Sequence, residues 1–136
     1  MVEITPTFEL EIEDIDTDHR ILVETVNKIV AAIDADRIGE GAALVPEFVD
    51  LAKQHFQREE AILKKYDYPD ADKHRAHHAG LDDKMDTMQR LAENAPESAP
   101  AAEALRKELI FFLMDDVINE DLDYKSFLVE ATAKHD

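Results

Sequence analysis

Seven side chains in this sequence combine metal-ligating chemistry with positions where such groups are costly. His19, His55, Glu59, His74 and His78 fall on the apolar faces of three expected helices. Asp116 and Asp121 fall among the leucines and phenylalanines of a fourth. Imidazoles and carboxylates avoid apolar faces unless something compensates them. Taken singly, each has an ordinary explanation. A lone core-facing histidine such as His19 is usually satisfied by a hydrogen bond. His55 and Glu59, four residues apart, share a helix face, and a hydrogen bond explains such a pair more often than a metal does. His74 and His78 have the same spacing, and two imidazoles one turn apart can chelate one ion.

Jointly the residues say more. Glu59 lies between Phe56 and Ile62, so it is expected as a buried carboxylate, costly unless compensated. No Lys or Arg falls on the apolar stripes to pair with it, and Asp116 and Asp121 pose the same problem. Two divalent ions would supply the missing positive charge, bridged by carboxylates and capped by imidazoles. This is the logic of di-iron and di-manganese carboxylate bundles. His77 points about 100° away from its neighbour His78 and is expected to face solvent or to support the site from outside. His135 lies next to the C-terminal residue, and no role is expected for it.

The elements that must position these groups are long amphipathic helices. Residues 1–16 read as an extended arm, because Pro6 and the alternation through Phe8, Leu10 and Ile12 argue against helix. Helix is predicted over about 17–37, with Asp16 or Thr17 as cap and Ile15, Leu22, Val26, Ile29 and Ile33 as stripe. A second is predicted over 42–65, with Val45, Phe48, Val49, Ala52, Phe56, Ile62 and Leu63 inward and Pro46 in its first turn. A third runs over 70–93 through Leu81, Met85, Met88 and Ala92. The fourth runs over 99–133 through Leu105, Leu109, Phe112, Leu113, Val117, Tyr124 and Leu128, with a bend expected beyond Asp121. Short connections favour antiparallel neighbours, so the expected fold is an all-α, up-down-up-down four-helix bundle in one domain spanning 1–136.

Composition narrows the function. The chain has 136 residues, 45% hydrophobic and 35% charged, with 3 Gly and 5 Pro, the balance of a helical globular domain. Its net charge of −17, from 32 Asp+Glu against 15 Lys+Arg, disfavours nucleic acid and anionic membrane as partners. Such a charge also serves plain solubility or salt adaptation. Without cysteine, disulfides, thiolate zinc, Fe–S clusters and cysteine nucleophiles are excluded, and any metal must be held by nitrogen and oxygen. No apolar run approaches the ~20 residues of a membrane span. The acidic N-terminus lacks the pattern of a secretory signal. A cytoplasmic location is therefore the default expectation.

The residues in order resemble bacterial hemerythrin. The resemblance is carried by Ile15-Asp16-Thr17-Asp18-His19, by His55-Phe56-Gln57-Arg58-Glu59-Glu60, and by Tyr68-Pro69 followed by His74, His78 and Leu81. It continues through Phe112-Leu113 to Asp121 and Tyr124, covering about Thr7 to Leu128. The resemblance implies that His19 and His55 hold one iron, that His74 and His78 hold a second, and that Glu59 and Asp121 bridge them with an oxo or hydroxo group. It also implies that Phe56, Leu81, Leu113 and Tyr124 line an O2 pocket.

The chain departs from that family at Asp116, where a fifth histidine is usual, and at Phe112, where tryptophan is usual. If Asp116 binds, its charge favours Fe(III), lowering the potential and speeding autoxidation. If it falls short, water fills the gap and both ions have exchangeable positions. Weak or mononuclear binding at the second position is a third outcome. Oxygen-rich ligation would make manganese more competitive.

The leading expectation is a non-haem di-iron protein that binds, stores or delivers O2 rather than an enzyme. The alternatives are a di-iron enzyme acting on peroxide, O2 or NO, and an iron-binding or sensing module without reversible carriage. O2 or a related diatomic is the expected partner, and a monomer is expected over an oligomer.

Overall fold

The computed structural model describes Leu10 and residues 12–135. Phe8 and the rest of the arm's beginning lie outside the described residues, as does the side chain of His135. Helix α1 spans Glu13–Asp34, α2 Ile38–Ala43, α3 Val45–Lys65, α4 Ala71–Gly80, α5 Asp82–Asn94, α6 Ala99–Phe111 and α7 Lys125–His135. A π-helical stretch, Phe112–Asn119, and a 3-10 turn, Leu122–Tyr124, join α6 to α7. No strand occurs among the described residues. Four helical rods result: α1, α3, α4 with α5, and α6 through α7. Contacts run α1 to α3, α3 to α4 and α5, α5 to α6, and α6 back to α1. Neighbours in sequence are thus neighbours in space, which makes the all-α four-helix bundle up-down-up-down.

The apolar stripes expected from sequence are the core. Every stripe residue named above is buried except Ile62, which is partly so. The core is divided. A large cluster runs from Leu22 to Ile33 on α1, through Phe48 and Phe56 on α3 and Met88 on α5, to Leu105 and Val117. A smaller cluster contains Leu10, Ile15, Leu63, Tyr124 and Leu128. Between them in every rod's sequence lie the polar groups: His19 between Ile15 and Leu22, Glu59 between Phe56 and Leu63, His74 and His78 between Ala71 and Leu81, and Asp121 between Val117 and Tyr124. The site is a polar belt across an otherwise apolar interior.

The helix ends refine the boundaries read from sequence. Helix α1 starts before Asp16, and its first turn holds Glu13, Asp14 and Asp16, which complement the helix dipole. Asp16 is not the cap. Its carboxylate instead accepts from the Leu10 N–H at 2.8 Å, tying the described end of the arm to α1. Both α1 and α3 end in Schellman turns. Arg37 N–H reaches Ala32 O at 2.8 Å and Tyr68 N–H reaches Leu63 O at 3.0 Å. The left-handed positions are aspartates, Asp36 at φ 61° and Asp67 at φ 55°, which tolerate that region better than most residues.

The stretch between the first two expected helices belongs in fact to the short helix α2. There Gly41 lies so close to α1 that a Cβ would stand 3.0 Å from the Ile29 carbonyl oxygen. The third rod hitches at Leu81, between α4 and α5. The fourth leaves regular α geometry before Asp121, not after it. No helix among the described residues is long and apolar enough to cross a membrane.

Candidate metal centre

Each rod contributes to one cluster. His19 comes from α1, His55 and Glu59 from α3, His74 and His78 from α4, and Asp121 from between the π-helical stretch and the 3-10 turn. All six are buried, with Glu59, His55 and Asp121 at 0% exposure. The imidazoles present Nε2 to the two carboxylates. His19 Nε2 is 2.8 Å from Asp121 Oδ2, and His55 Nε2 is 3.0 Å from the same oxygen and 2.9 Å from Glu59 Oε2. On the other side, His78 Nε2 is 2.9 Å from Glu59 Oε1 and His74 Nε2 is 3.2 Å from Asp121 Oδ1. His74 Nε2 also contacts Glu59 Oε1. Asp121 therefore turns Oδ2 to His19 and His55 and Oδ1 to His74, while Glu59 turns Oε2 to His55 and Oε1 to His74 and His78.

The side chains form two groups of potential ligands, His19, His55, Glu59 and Asp121, and Glu59, His74, His78 and Asp121, with ligand atoms in each within 4.8 Å of one another. Glu59 Oε2 and Asp121 Oδ1 are buried and lack a well-directed hydrogen bond, despite the nearby imidazoles. Lone pairs that converge without donors aimed at them suit a cation better than a hydrogen-bond network. The donor set, imidazole nitrogen and carboxylate oxygen, suits iron or manganese.

The carboxylates and imidazoles also hold one another's protons. Burial alone would lower the His55 pKa, but hydrogen bonds to Asp121, Asp18 and Glu59 raise it well above the ordinary value. His74 is likewise opposed by burial and pushed up to about 10 by Asp121 and Glu59. Burial would raise Glu59, yet hydrogen bonding to Asp121 and to His55, His74 and His78 holds it well below the usual range. Metal must displace such protons to bind.

Two of the expected pocket residues, Phe56 and Tyr124, touch the cluster's histidines. The Phe56 ring stacks on His78 with centroids 4.1 Å apart. Leu81 and Leu113 are buried. Tyr124 packs edge-on against His74 at 5.2 Å, and its buried hydroxyl has no well-directed hydrogen-bond partner. Burial, with the charges of Asp121 and Glu59, pushes its pKa well up, so it stays protonated.

Asp116 is in neither group of potential ligands. Its Oδ2 accepts from Lys84 Nζ at 2.7 Å, and its backbone carbonyl accepts from His77 Nε2 at 3.0 Å. An ammonium from α5 compensates this carboxylate without any metal. Lys84 escaped the sequence reading because it lies off the apolar stripe. Its long stem carries the charge over the Phe111 ring, 5.1 Å from the centroid, to Asp116.

Asp18 was also missed. It is buried and accepts from His55 Nδ1 at 3.0 Å and from Arg58 Nε at 2.9 Å. Burial would raise its pKa, but these two partners lower it to about 2. A signal was present, because Ile15, Asp18 and Leu22 have helical spacing.

A family model for the hemerythrin HHE cation binding domain matches residues 10–128. No curated protein matches the chain.

Proposed function

The chain belongs to the hemerythrin HHE cation-binding family, and from that premise we propose that it holds two iron ions and binds O2 at them. The observation that carries this reading is the sharing of Glu59 and Asp121 by two ligand groups, with opposite oxygens turned to histidines of opposite pairs. His19 and His55 would hold one iron, His74 and His78 the other, and the two carboxylates would bridge. When bound, the iron pair supplies the electrons that O2 takes up.

The chain's own residues favour binding over turnover in two ways. Phe56, stacked on His78, covers that side of the cluster from water, which limits the proton supply that O–O cleavage needs there. Lys84 neutralises Asp116 away from the ligands, so Asp116 does not add its charge to the iron pair. Manganese is the competing ion, since the donors are hard.

The test begins with metal analysis of protein expressed with iron. Two irons per chain supports the reading, and none defeats it. Anaerobically reduced protein should then gain a visible absorption band on O2 exposure and lose it when O2 is removed. Direct conversion to the oxidised form without that band refutes carriage.

One observation favours a second reading, a di-iron enzyme acting on peroxide, O2 or NO. With Asp116 on Lys84, the second ion has only the donors that the first has, two histidines and the shared carboxylates. Both ions then have room for an exchangeable ligand. A surface cleft of about 570 Å³, lined by Tyr68, Asp70, His74, His77 and Glu120 among others, also brings solvent to the His74 side. Turnover of peroxide or NO that is lost in His74→Ala supports this reading. Turnover no greater than that of free iron excludes it.

A further inference from the structure

Asp18 joins two helices at the edge of the cluster. It lies on α1, one residue before His19, and both its partners lie on α3. Arg58 grips it as a fork, Nε to Oδ2 at 2.9 Å and Nη2 to Oδ1 at 2.6 Å. The same Oδ2 accepts from His55 Nδ1 at 3.0 Å. A carboxylate held in two places by a planar guanidinium has little freedom to turn. It therefore fixes which ring nitrogen of His55 carries hydrogen, and how the ring is aimed. The other nitrogen, Nε2, is the one that faces Glu59 and Asp121.

The support is uneven across the cluster. His19 Nδ1 and His78 Nδ1 are buried without a hydrogen-bond partner. The nearest carboxylate oxygen to His78 Nδ1 belongs to Glu60, at 3.5 Å. His55 thus has a carboxylate behind it that His19 and His78 lack. A carboxylate hydrogen-bonded to the far nitrogen of an imidazole raises its basicity as a ligand and holds its tautomer.

We propose that Asp18, pinned by Arg58, is a positioning residue that makes His55 a stronger ligand than His19 or His78 and so strengthens the ion that His55 shares with His19. This rests on the two-metal reading above. It adds an asymmetry that the ligand set alone does not have, since each ion otherwise has two histidines and the same two carboxylates. Arg58 is half exposed, so the device is adjusted from the surface without touching the ligands.

The test uses zinc as probe in the full chain, with Asp18→Asn and Arg58→Met. Zinc affinities are read by competition with a chromophoric chelator. The His55 Nδ1–H resonance is read by NMR of zinc-loaded, nitrogen-15-labelled protein, a signal that a merely structural role would not move. Wild type should take up two zinc ions and show a low-field, slowly exchanging His55 Nδ1–H. Asp18→Asn should weaken one ion by roughly 10–100-fold, leave the other nearly unchanged, and move or abolish that resonance. Arg58→Met should weaken the same ion by a smaller factor and shift the same resonance.

If Asp18→Asn does not fold, Arg58→Met decides: wild-type affinities with an unmoved resonance overturn the proposal. Equal weakening of both ions also overturns it. Failure of wild type to bind zinc overturns the two-metal reading and this proposal with it. Two bound ions with both variants at wild-type values overturns this proposal alone.

Discussion

Glu59→Gln keeps the side chain's size and removes its charge from the centre of the cluster. In metal-free protein, its effect passes largely through the histidines it faces. Against the cost of burial, Asp121 and Glu59 hold the His74 proton up to about pH 10. The ordinary histidine value is about 6.5. A folded-state value raised this far stabilises the fold fully below pH ~6.5, and the benefit is lost as pH rises to about 10. At pH 7 that is worth about 4 kcal/mol. Asp121 shares the effect, so Glu59→Gln should lose part of this stabilisation at pH 7 through His74. The cost should shrink towards pH 10, where the wild-type His74 is itself losing its proton. Urea denaturation of chelator-treated wild type and variant from pH 6.5 to 10 measures this directly. A loss of the same size at pH 7 and pH 10 would place the cost in packing and refute the charge argument. Metal analysis of the same variant should show fewer bound ions than wild type, since both ligand groups lose a charged oxygen.

Other predictions follow from the same geometry. Zinc affinity should rise with pH across the neutral range, with proton release seen by calorimetry in buffers of different ionisation enthalpy, because His55 and His74 hold protons that metal must displace; binding without proton release contradicts this. Asp116→Asn should leave metal content unchanged, because its carboxylate is on Lys84; loss of one ion would return Asp116 to the centre. Phe48→Ala should cost about 3–5 kcal/mol in chemical denaturation, since Phe48 is fully buried and packs edge-on against Phe112 at 5.9 Å; a cost below about 1 kcal/mol would mean that the core is not close-packed there. Gly41→Ala should destabilise despite alanine's helix advantage of about 1 kcal/mol, because the new Cβ meets the Ile29 backbone oxygen at 3.0 Å; a raised melting temperature would refute that.

Much of this protein was legible in its sequence. Apolar periodicity identified four rods and their inward faces, because burial of a stripe is a local property of a helix. The same periodicity exposed His19, His55, Glu59, His74, His78 and Asp121 as polar groups in the wrong place. Only the tertiary structure brought them to one point and turned each carboxylate oxygen to histidines of one pair. It also decided the fate of groups whose partners come from another helix. Asp116 met Lys84 from α5, and Asp18 met His55 and Arg58 from α3, and no spacing along one helix shows such pairings.

The fourth rod makes the same point about the backbone. A 3.6-residue period accounts for Leu105 and Leu109. Phe112 with Val117, and Leu113 with Ile118, are buried pairs five residues apart, which suits the wider i to i+5 turn of a π-helix. That turn sets how the rod approaches Asp121. Sequence fixed the chemistry available, because it lies in side-chain types. Packing between helices decided which of those groups reach the centre, because reach depends on where a neighbouring helix puts its charge.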